Sequence, residues 1–470
     1  MVFSSNVFLL VFLPLFLIVY FACPKRWRNW PLLLFSVVFY AWGAPDFILW
    51  LLASLVVNFF LVRAMCRTER PGLKKLFCGL SVGVSLGLLA YFKYANFFVD
   101  NLNLLLTALG VGNITLAKIL LPIGISFFSF QSVTYTLDTY RGVNEPLRRL
   151  SDYMLYIIMF PQLVAGPIVR YCDVQEQILH RESKASECLQ GMYRFVIGLC
   201  KKVLVADVLG AQVDITLGGD LALLDTGTAW VAIIAYTMQL YFDFSGYSDM
   251  AIGLGRIMGF KFPENFDNPY NSTSITEFWR RWHITLGAFM RNYLYIPLGG
   301  NRKGVGRTYF NLWLVFLLSG LWHGASWNFV IWGAYHGCFL VLERLCFKTT
   351  KDRHPLMALP TFVIAVVGWV FFRIEGLPEA LTFIGRLFAF DFSGFALGAN
   401  AQFYAMLAVA LFFAFFCLFP LGKRIQQKVY YTDYSAKGHI PAFIVAVLML
   451  FFCIGAFNAV GFSPFIYFRF

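Results

Sequence analysis

Charge is scarce in this chain. Of its 470 residues only 13% are Asp, Glu, Lys or Arg, against 59% hydrophobic and 19% aromatic. A soluble protein needs far more charge on its surface. Long polar inserts are also missing between the apolar runs, which excludes an extramembrane catalytic domain, so any chemistry lies in or beside a membrane. The ten cysteines stand singly, with no CxxC pair and no metal-ligand spacing. They read as buried thiols acting as small hydrophobes, without a disulfide framework or a zinc site. A nucleophile elbow, an HExxH helix, a Walker loop and a dinucleotide fingerprint are all lacking, so the activated nucleophile of an enzyme built this way belongs to its substrate.

What is present is apolar length. The mean hydropathy is +0.67, and apolar runs recur along the whole sequence, predicting an all-α polytopic membrane protein of about eleven transmembrane helices. The first run, FSSNVFLLVFLPLFLIVYF, has no basic n-region and no cleavage site, and reads as a retained helix. The net charge of +13 falls in short clusters: KRWR at 25–28, RTERPGLKK at 67–75, GNRKGVGR at 300–307 and KTTKDR at 348–353. That is the pattern of cytoplasmic loops rather than of nucleic-acid binding, and it also suits anionic lipid or a phosphate-bearing donor on the same face. With KRWR inside, the N-terminus lies outside, and runs 31–42 and 46–65 form a hairpin turning at WGAPD. Further spans are expected near 76–94, 119–138, 150–170, 190–210, 228–254, 308–328, 329–347, 357–373, 401–420 and 440–462.

The stretch 262–300, FPENFDNPYNSTSITEFWRRWHITLGAFMRNYLYIPLGG, is neither span nor ordinary loop. Ser274 and Glu277 predict a capped helix start, and the helix that follows carries Trp279, Arg280, Arg281, Trp282, His283 and Arg291. Such a segment lies in the interface or re-enters the protein interior. Trp279 and His283, four apart, are expected on one helical face. Arg280 and Arg281 suit a phosphate clamp or, equally, a snorkelling basic surface. Of the six histidines, His180, His354 and His439 fall in polar linkers and read as solvated, while His336 reads as core or pore lining. His323, in SGLWHGASWNF, sits about a dozen apolar residues into a run, near mid-bilayer at a rise of about 1.5 Å per residue. It is either a packing histidine or a general base, for which an ordinary pKa near 6.5 is suited. Gly324 beside it leaves room for a substrate. In YFDFSGYSDMAIGLG, Asp243 and Asp249 need partners, with Arg256, Arg280 or Arg281 as candidates and a helix break at Gly246 as an alternative.

The segments FDFSGYSDMAIG, NFDNPYNSTSITEFWRRWHITLGAFMRNYLYIPLGGNR and SGLWHGASWNFVIWGAYHG closely resemble the membrane-bound O-acyltransferase family, in its bacterial branch acting on alginate, peptidoglycan and teichoic acid. The N-terminal MVFSSNVFLLVFLPLFLIVY, FYAWGAPDF and the terminal FIYF extend the likeness over nearly the whole chain, a single domain 1–470 with its motif-rich core at 263–347. The resemblance implies re-entrant or interfacial helices around a central tunnel in a bacterial inner membrane, through which an acyl thioester, acetyl-CoA, delivers its acyl group from cytoplasm to periplasm. It implies His323, in the WHG motif, as the catalytic residue and His283, in RWH, as a second. Many eukaryotic members have Asn or Asp at that second position. Trp279, Arg280, Arg281, Trp282, Trp322, Gly324 and Asn328 fall in the same motifs and are taken as substrate-binding candidates. The implied partners are a periplasmic SGNH-type acetyltransferase, an exported polysaccharide (alginate-like polymer, cellulose or peptidoglycan) and membrane lipid, with no metal and no permanently bound cofactor. D-alanyl transfer to teichoic acid, a secondary transporter and a scaffold subunit are the competing readings. Matched broken repeats, expected of many transporters, are not visible in the sequence.

Overall fold

The structure is a computed structural model that describes residues 3–164, 166–347, 354–394, 397–460 and 465–466, without the side chains of 457–460. The basic cluster 348–353, the end of the run expected to reach 462 and the last two residues of FIYF lie outside the described residues. Two compact units are present, one of residues 1–184 with 254–263, the other of residues 185–253 with 264–470. Among the described residues every regular element is helical, and six helices are long and apolar enough to cross a membrane: Pro45–Arg67, Pro71–Ala108, Trp327–Cys346, Pro355–Arg373, Ala401–Leu418 and Ala436–Ala456.

In the first unit the hairpin expected at WGAPD is formed by Asn29–Gly43 and Ile48–Arg67. The helix Pro71–Ala108 runs 38 residues, about 57 Å at the usual rise. Its polar end clamps the following loop, Asn96 through Ile119 and Asn103 through Ile114. The run expected from 119 becomes helical only at Ile125–Tyr140. The turn before it places Gly124 at φ 76°, where a Cβ would lie 2.7 Å from the Leu163 carbonyl oxygen. The run 150–170 is interrupted at Met159, giving Leu150–Ile158 and Phe160–Leu163. Inside this unit Asn58, Ser81, Ser85 and Thr136 satisfy one another across three helices, as polar groups among apolar helices must.

In the second unit, Ala185–Cys200 continues through a π-helical stretch, Lys201–Ala206, into Asp207–Leu217. It packs closely on Thr226–Met258, which runs unbroken past Gly246. A Cβ on Gly198 would fall 2.4 Å from Gly246 O, and one on Gly253 would fall 2.5 Å from Gly191 O. Two pairs of glycines seven residues apart therefore set the approach of these backbones. The same device draws Val305–His323 against Trp327–Cys346. Cβ atoms on Gly320 and Gly333 would meet Phe329 O at 2.1 Å and Phe316 O at 2.4 Å. The chain turns at 324–326, not at 328 as the apolar pattern suggested, because Gly324 and Ser326, which end one helix and precede the next, are both extended.

Candidate active site

Residues 265–267 run beside 281–284 in a short backbone ladder. Ile284 N–H donates to Asn265 O and Asp267 N–H to Arg281 O, both at 2.9 Å, with Phe266 and Trp282 bridged between them. Ser274 starts the helix as its spacing requires, accepting the Glu277 N–H at 3.0 Å. Glu277 itself reaches one residue beyond a capping box, to the Thr273 N–H at 2.9 Å, and Glu343 takes the Thr276 N–H at 2.8 Å. After seven residues the helix stops. Trp282 is extended, and His283 is left-handed at φ 45°, ψ 55° before Ile284–Phe289 begins. The expectation that Trp279 and His283 share a helical face is therefore corrected: the ladder pulls 282–284 out of the helix.

This break fixes the imidazole. His283 Nδ1 lies 3.0 Å from Asn265 Oδ1, and that oxygen also accepts the Thr285 N–H at 3.3 Å and the Thr285 hydroxyl at 2.9 Å. An amide atom facing a backbone N–H is the oxygen, so the His283 hydrogen sits on Nδ1 and the lone pair of the neutral ring on Nε2. Asn265 is fully buried, and its Nδ2 donates to Ser248 Oγ at 3.2 Å.

His323 is the last residue of its helix, at the tip of the glycine hairpin rather than inside a span, and is 5% exposed. Its ring centroid lies 4.8 Å from Trp322, 5.1 Å from Trp332 and 5.0 Å from Phe372. Trp322 is 6.1 Å from His283, and Trp332 is 5.1 Å from His336. Rings therefore run in contact from His283 through Trp322 and His323 to Trp332 and His336, with Trp279 closing on Trp332 and His336 at 5.4 and 4.9 Å. His336 is fully buried, with neither ring nitrogen hydrogen-bonded among the described residues. The absence of a side chain at Gly368 admits its Nε2.

A family model described as membrane-bound O-acyltransferase matches residues 147–377. A probable alginate O-acetylase of Pseudomonas putida is 44% identical over 489 residues, covering 100% of both chains. The chain belongs to the membrane-bound O-acyltransferase family. It is a multi-pass membrane protein and an O-acyltransferase. A peptidoglycan O-acetyltransferase of Helicobacter pylori is 37% identical over 423 residues, 81% of this chain and 78% of the relative. A teichoic acid D-alanyltransferase of Bacillus subtilis is 29% identical over 241 residues, 49% of this chain and 60% of the relative.

The other candidates in this acyltransferase divide by position. Trp322 and Trp279 belong to the ring cluster. Trp282 packs at a tilt against Trp369, centroids 4.8 Å apart, and joins Tyr241, Phe266 and Tyr270. Arg281 pairs with Glu277 at 2.7 Å, whereas Arg280 is exposed. The space that Gly324 vacates is filled by Phe329, whose ring a Cβ would meet at 2.1 Å, so the glycine makes room for a side chain of the protein. Asn328 donates to the carbonyls of Ile374 at 2.6 Å and Gly376 at 3.1 Å, pinning the chain after Phe372. His180 and His354 are exposed as expected. His439 is not solvated, since its ring meets Tyr193 and Tyr434 and its Nδ1 lies 3.2 Å from the Tyr193 hydroxyl.

Sequence reasoning missed Asn265 and the partners of the buried carboxylates. Asp249 pairs with Arg194 at 2.8 Å and Lys201 at 2.6 Å, and Arg194 also holds Glu264 at 2.5 Å. Asp243 pairs with Lys202 at 2.7 Å and accepts the Ile466 N–H. Neither uses Arg256, Arg280 or Arg281, because the close glycine contact brings the 194–202 stretch alongside instead. Arg194, Lys201, Asp249, Glu264 and Asn265 form the polar wall of a cavity of about 500 Å³, with Met406, Val409, Phe413 and Met449 opposite. Asn265 thus touches both this cavity and His283.

Proposed function

We propose that the protein moves an acetyl group from cytoplasmic acetyl-CoA across the bacterial inner membrane to a periplasmic hydroxyl, on a partner protein or an exported polysaccharide of the alginate or peptidoglycan kind. The observation that carries this reading is the placement of His323 at a buried hairpin tip, in ring contact with Trp322, which meets His283. The basic loop 300–307 opens the same hairpin at its other end, and basic loops favour the cytoplasm. A thioester approaching from that side and a hydroxyl from the other would meet at His323.

There the imidazole takes the hydroxyl proton, the oxygen bonds to the acetyl carbon, the carbon–sulfur bond breaks, and the proton passes to the departing thiolate. Thioester and ester are close in energy, so positioning and exclusion of water carry the rate. The packing of Trp322, Trp332 and Phe372 around the ring suits that task. His283, with its lone pair fixed at Nε2, would serve as a second proton acceptor. Arg280 and Arg281 would meet phosphates of the donor.

The test uses purified protein in liposomes, labelled acetyl-CoA on the basic-loop side, and periplasmic partner or polysaccharide on the other. Label transfer by wild type, lost in a folded His323→Ala variant, is expected. Equal transfer by His323→Ala would overturn the assignment, and substrate uptake without chemical change would point to a transporter.

A further inference from the structure

The tip of the hairpin that carries His323 adjoins an open groove of about 540 Å³ in the same unit, with Arg373, Ile374, Glu375 and Glu379 on its wall and Asp220 facing in from the 217–222 turn. Two contacts connect this wall to His323. Phe372, one residue before Arg373, meets the imidazole edge-on with ring centroids 5.0 Å apart, and Asn328, just past the tip, holds the Ile374 carbonyl. The basic loop 300–307 lies at the opposite end of the hairpin, so the groove falls at the non-cytoplasmic end.

Its charge is one-sided. The Arg373 guanidinium is answered by Asp214 at 2.9 Å, whereas no ion pair involving Asp220, Glu375 or Glu379 forms among the described residues. One donor also waits there: Arg373 Nε–H is buried without a hydrogen-bond partner among the described residues, a condition that usually marks a missing acceptor.

We propose that this groove admits the acyl acceptor and selects it by charge, taking a basic, hydroxyl-bearing polypeptide segment. The inference rests on the acetyl-transfer reading above. Three carboxylates lining one groove repel a polyuronate and give a neutral glycan nothing, but each gains from a Lys or Arg beside the reacting Ser or Thr, an effect that salt screens. A peptide backbone also brings a carbonyl for the Arg373 Nε–H. The hydroxyl oxygen bonds to the acetyl carbon, the thioester carbon–sulfur bond breaks, and the proton travels through His323 to the thiolate. Products are an O-acetylated side chain and free CoA.

The experiment offers the liposome-held protein, on the side away from acetyl-CoA, a serine peptide flanked by lysines, the same peptide flanked by glutamates, a neutral oligosaccharide and an oligouronate. The lysine peptide is expected to be labelled about tenfold faster than the glutamate peptide at low salt, two or three surface pairs each contributing a few-fold. The preference shrinks in a Glu375→Gln/Glu379→Gln variant. Labelling of the oligouronate as fast as the lysine peptide, or an unchanged preference in the variant, overturns the proposal. Should the variant not fold, raising the salt on wild type makes the same comparison, and a preference indifferent to salt overturns it equally. His323-dependent transfer of label to any of the four acceptors separates the two readings. Its absence from all of them sinks acetyl transfer itself, whereas its presence with no charge preference sinks only the groove.

Discussion

Replacing Asn265 by Ala removes the acceptor that faces His283 Nδ1. Three donors converge on Asn265 Oδ1, from His283 Nδ1, the Thr285 N–H and the Thr285 hydroxyl, and the residue is fully buried beside the cavity. Each lost bond is worth about 1 kcal/mol, and a stranded buried N–H about 1–3 kcal/mol. For the imidazole alone this amounts to freedom to turn or change tautomer, which in comparable supporting shells lowers activity about 10–100-fold. If Asn265 acts only through His283, its removal has little left to damage once His283 is gone. The assay is a double-mutant cycle on the initial rate of acetyl transfer in liposomes, using His283→Ala, Asn265→Ala and both together, each normalised to folded protein. The double variant is expected to be no slower than His283→Ala, with a coupling of about 1.4–2.8 kcal/mol, which is the same 10–100-fold converted. Rates that multiply independently would refute the view that Asn265 positions this ring, and an undiminished Asn265→Ala would refute any role for the fixed tautomer.

Four other outcomes follow from the geometry. Gly324→Ala drives a Cβ into the Phe329 ring, which packs 4.9 Å from Phe372 behind His323, so thermal stability in detergent should fall by about 1–3 kcal/mol together with the transfer rate. Asp249→Ala leaves Arg194 and Lys201 short of a buried counter-charge and should cost about 3–5 kcal/mol, seen as a lower unfolding midpoint, while Glu264 still answers Arg194. Arg280→Ala and Arg281→Ala should raise KM for acetyl-CoA several-fold with kcat unchanged if these side chains bind its phosphates; unaltered KM would leave them as surface charge. Asp391, between helices, is held down to about 2 by the Ser393 hydroxyl and N–H and by Arg386. Its contribution is therefore complete above the ordinary carboxylate value near 4 and lost as pH falls from there through about 2, which limited proteolysis at the 388–394 loop should report as faster cleavage only below about pH 4.

The legible parts of this molecule are local or compositional. Ser274 and Glu277 are three apart, so the start of their helix is written in adjacent residues. His323 stands out as an imidazole in an apolar run. Its true setting was less visible, because the turn at 324–326 depends on Phe329 folding back into the space of Gly324, which no spacing rule encodes. His283 shows the same limit more sharply. Its helix is ended by a backbone ladder with residues 265–267, a contact from a neighbouring segment that overrides the helical pattern of EFWRRWHITL. The partners of Asp249 come from 55 and 48 residues away, through a glycine seam between helices whose pairing a single sequence does not disclose.

The left-handed backbone at His283 also acts as a filter on what position 283 can become. Asn and Asp enter that region at the least cost among residues with a side chain, whereas β-branched residues are strained there. Those two are the residues that the family resemblance implies at this place in eukaryotic members. The ladder, the break and the seat beside Asn265 can therefore persist while the imidazole is exchanged. Loss of the second histidine need not mean loss of the architecture that holds it: the backbone sets which substitutions are open, and chemistry chooses among them.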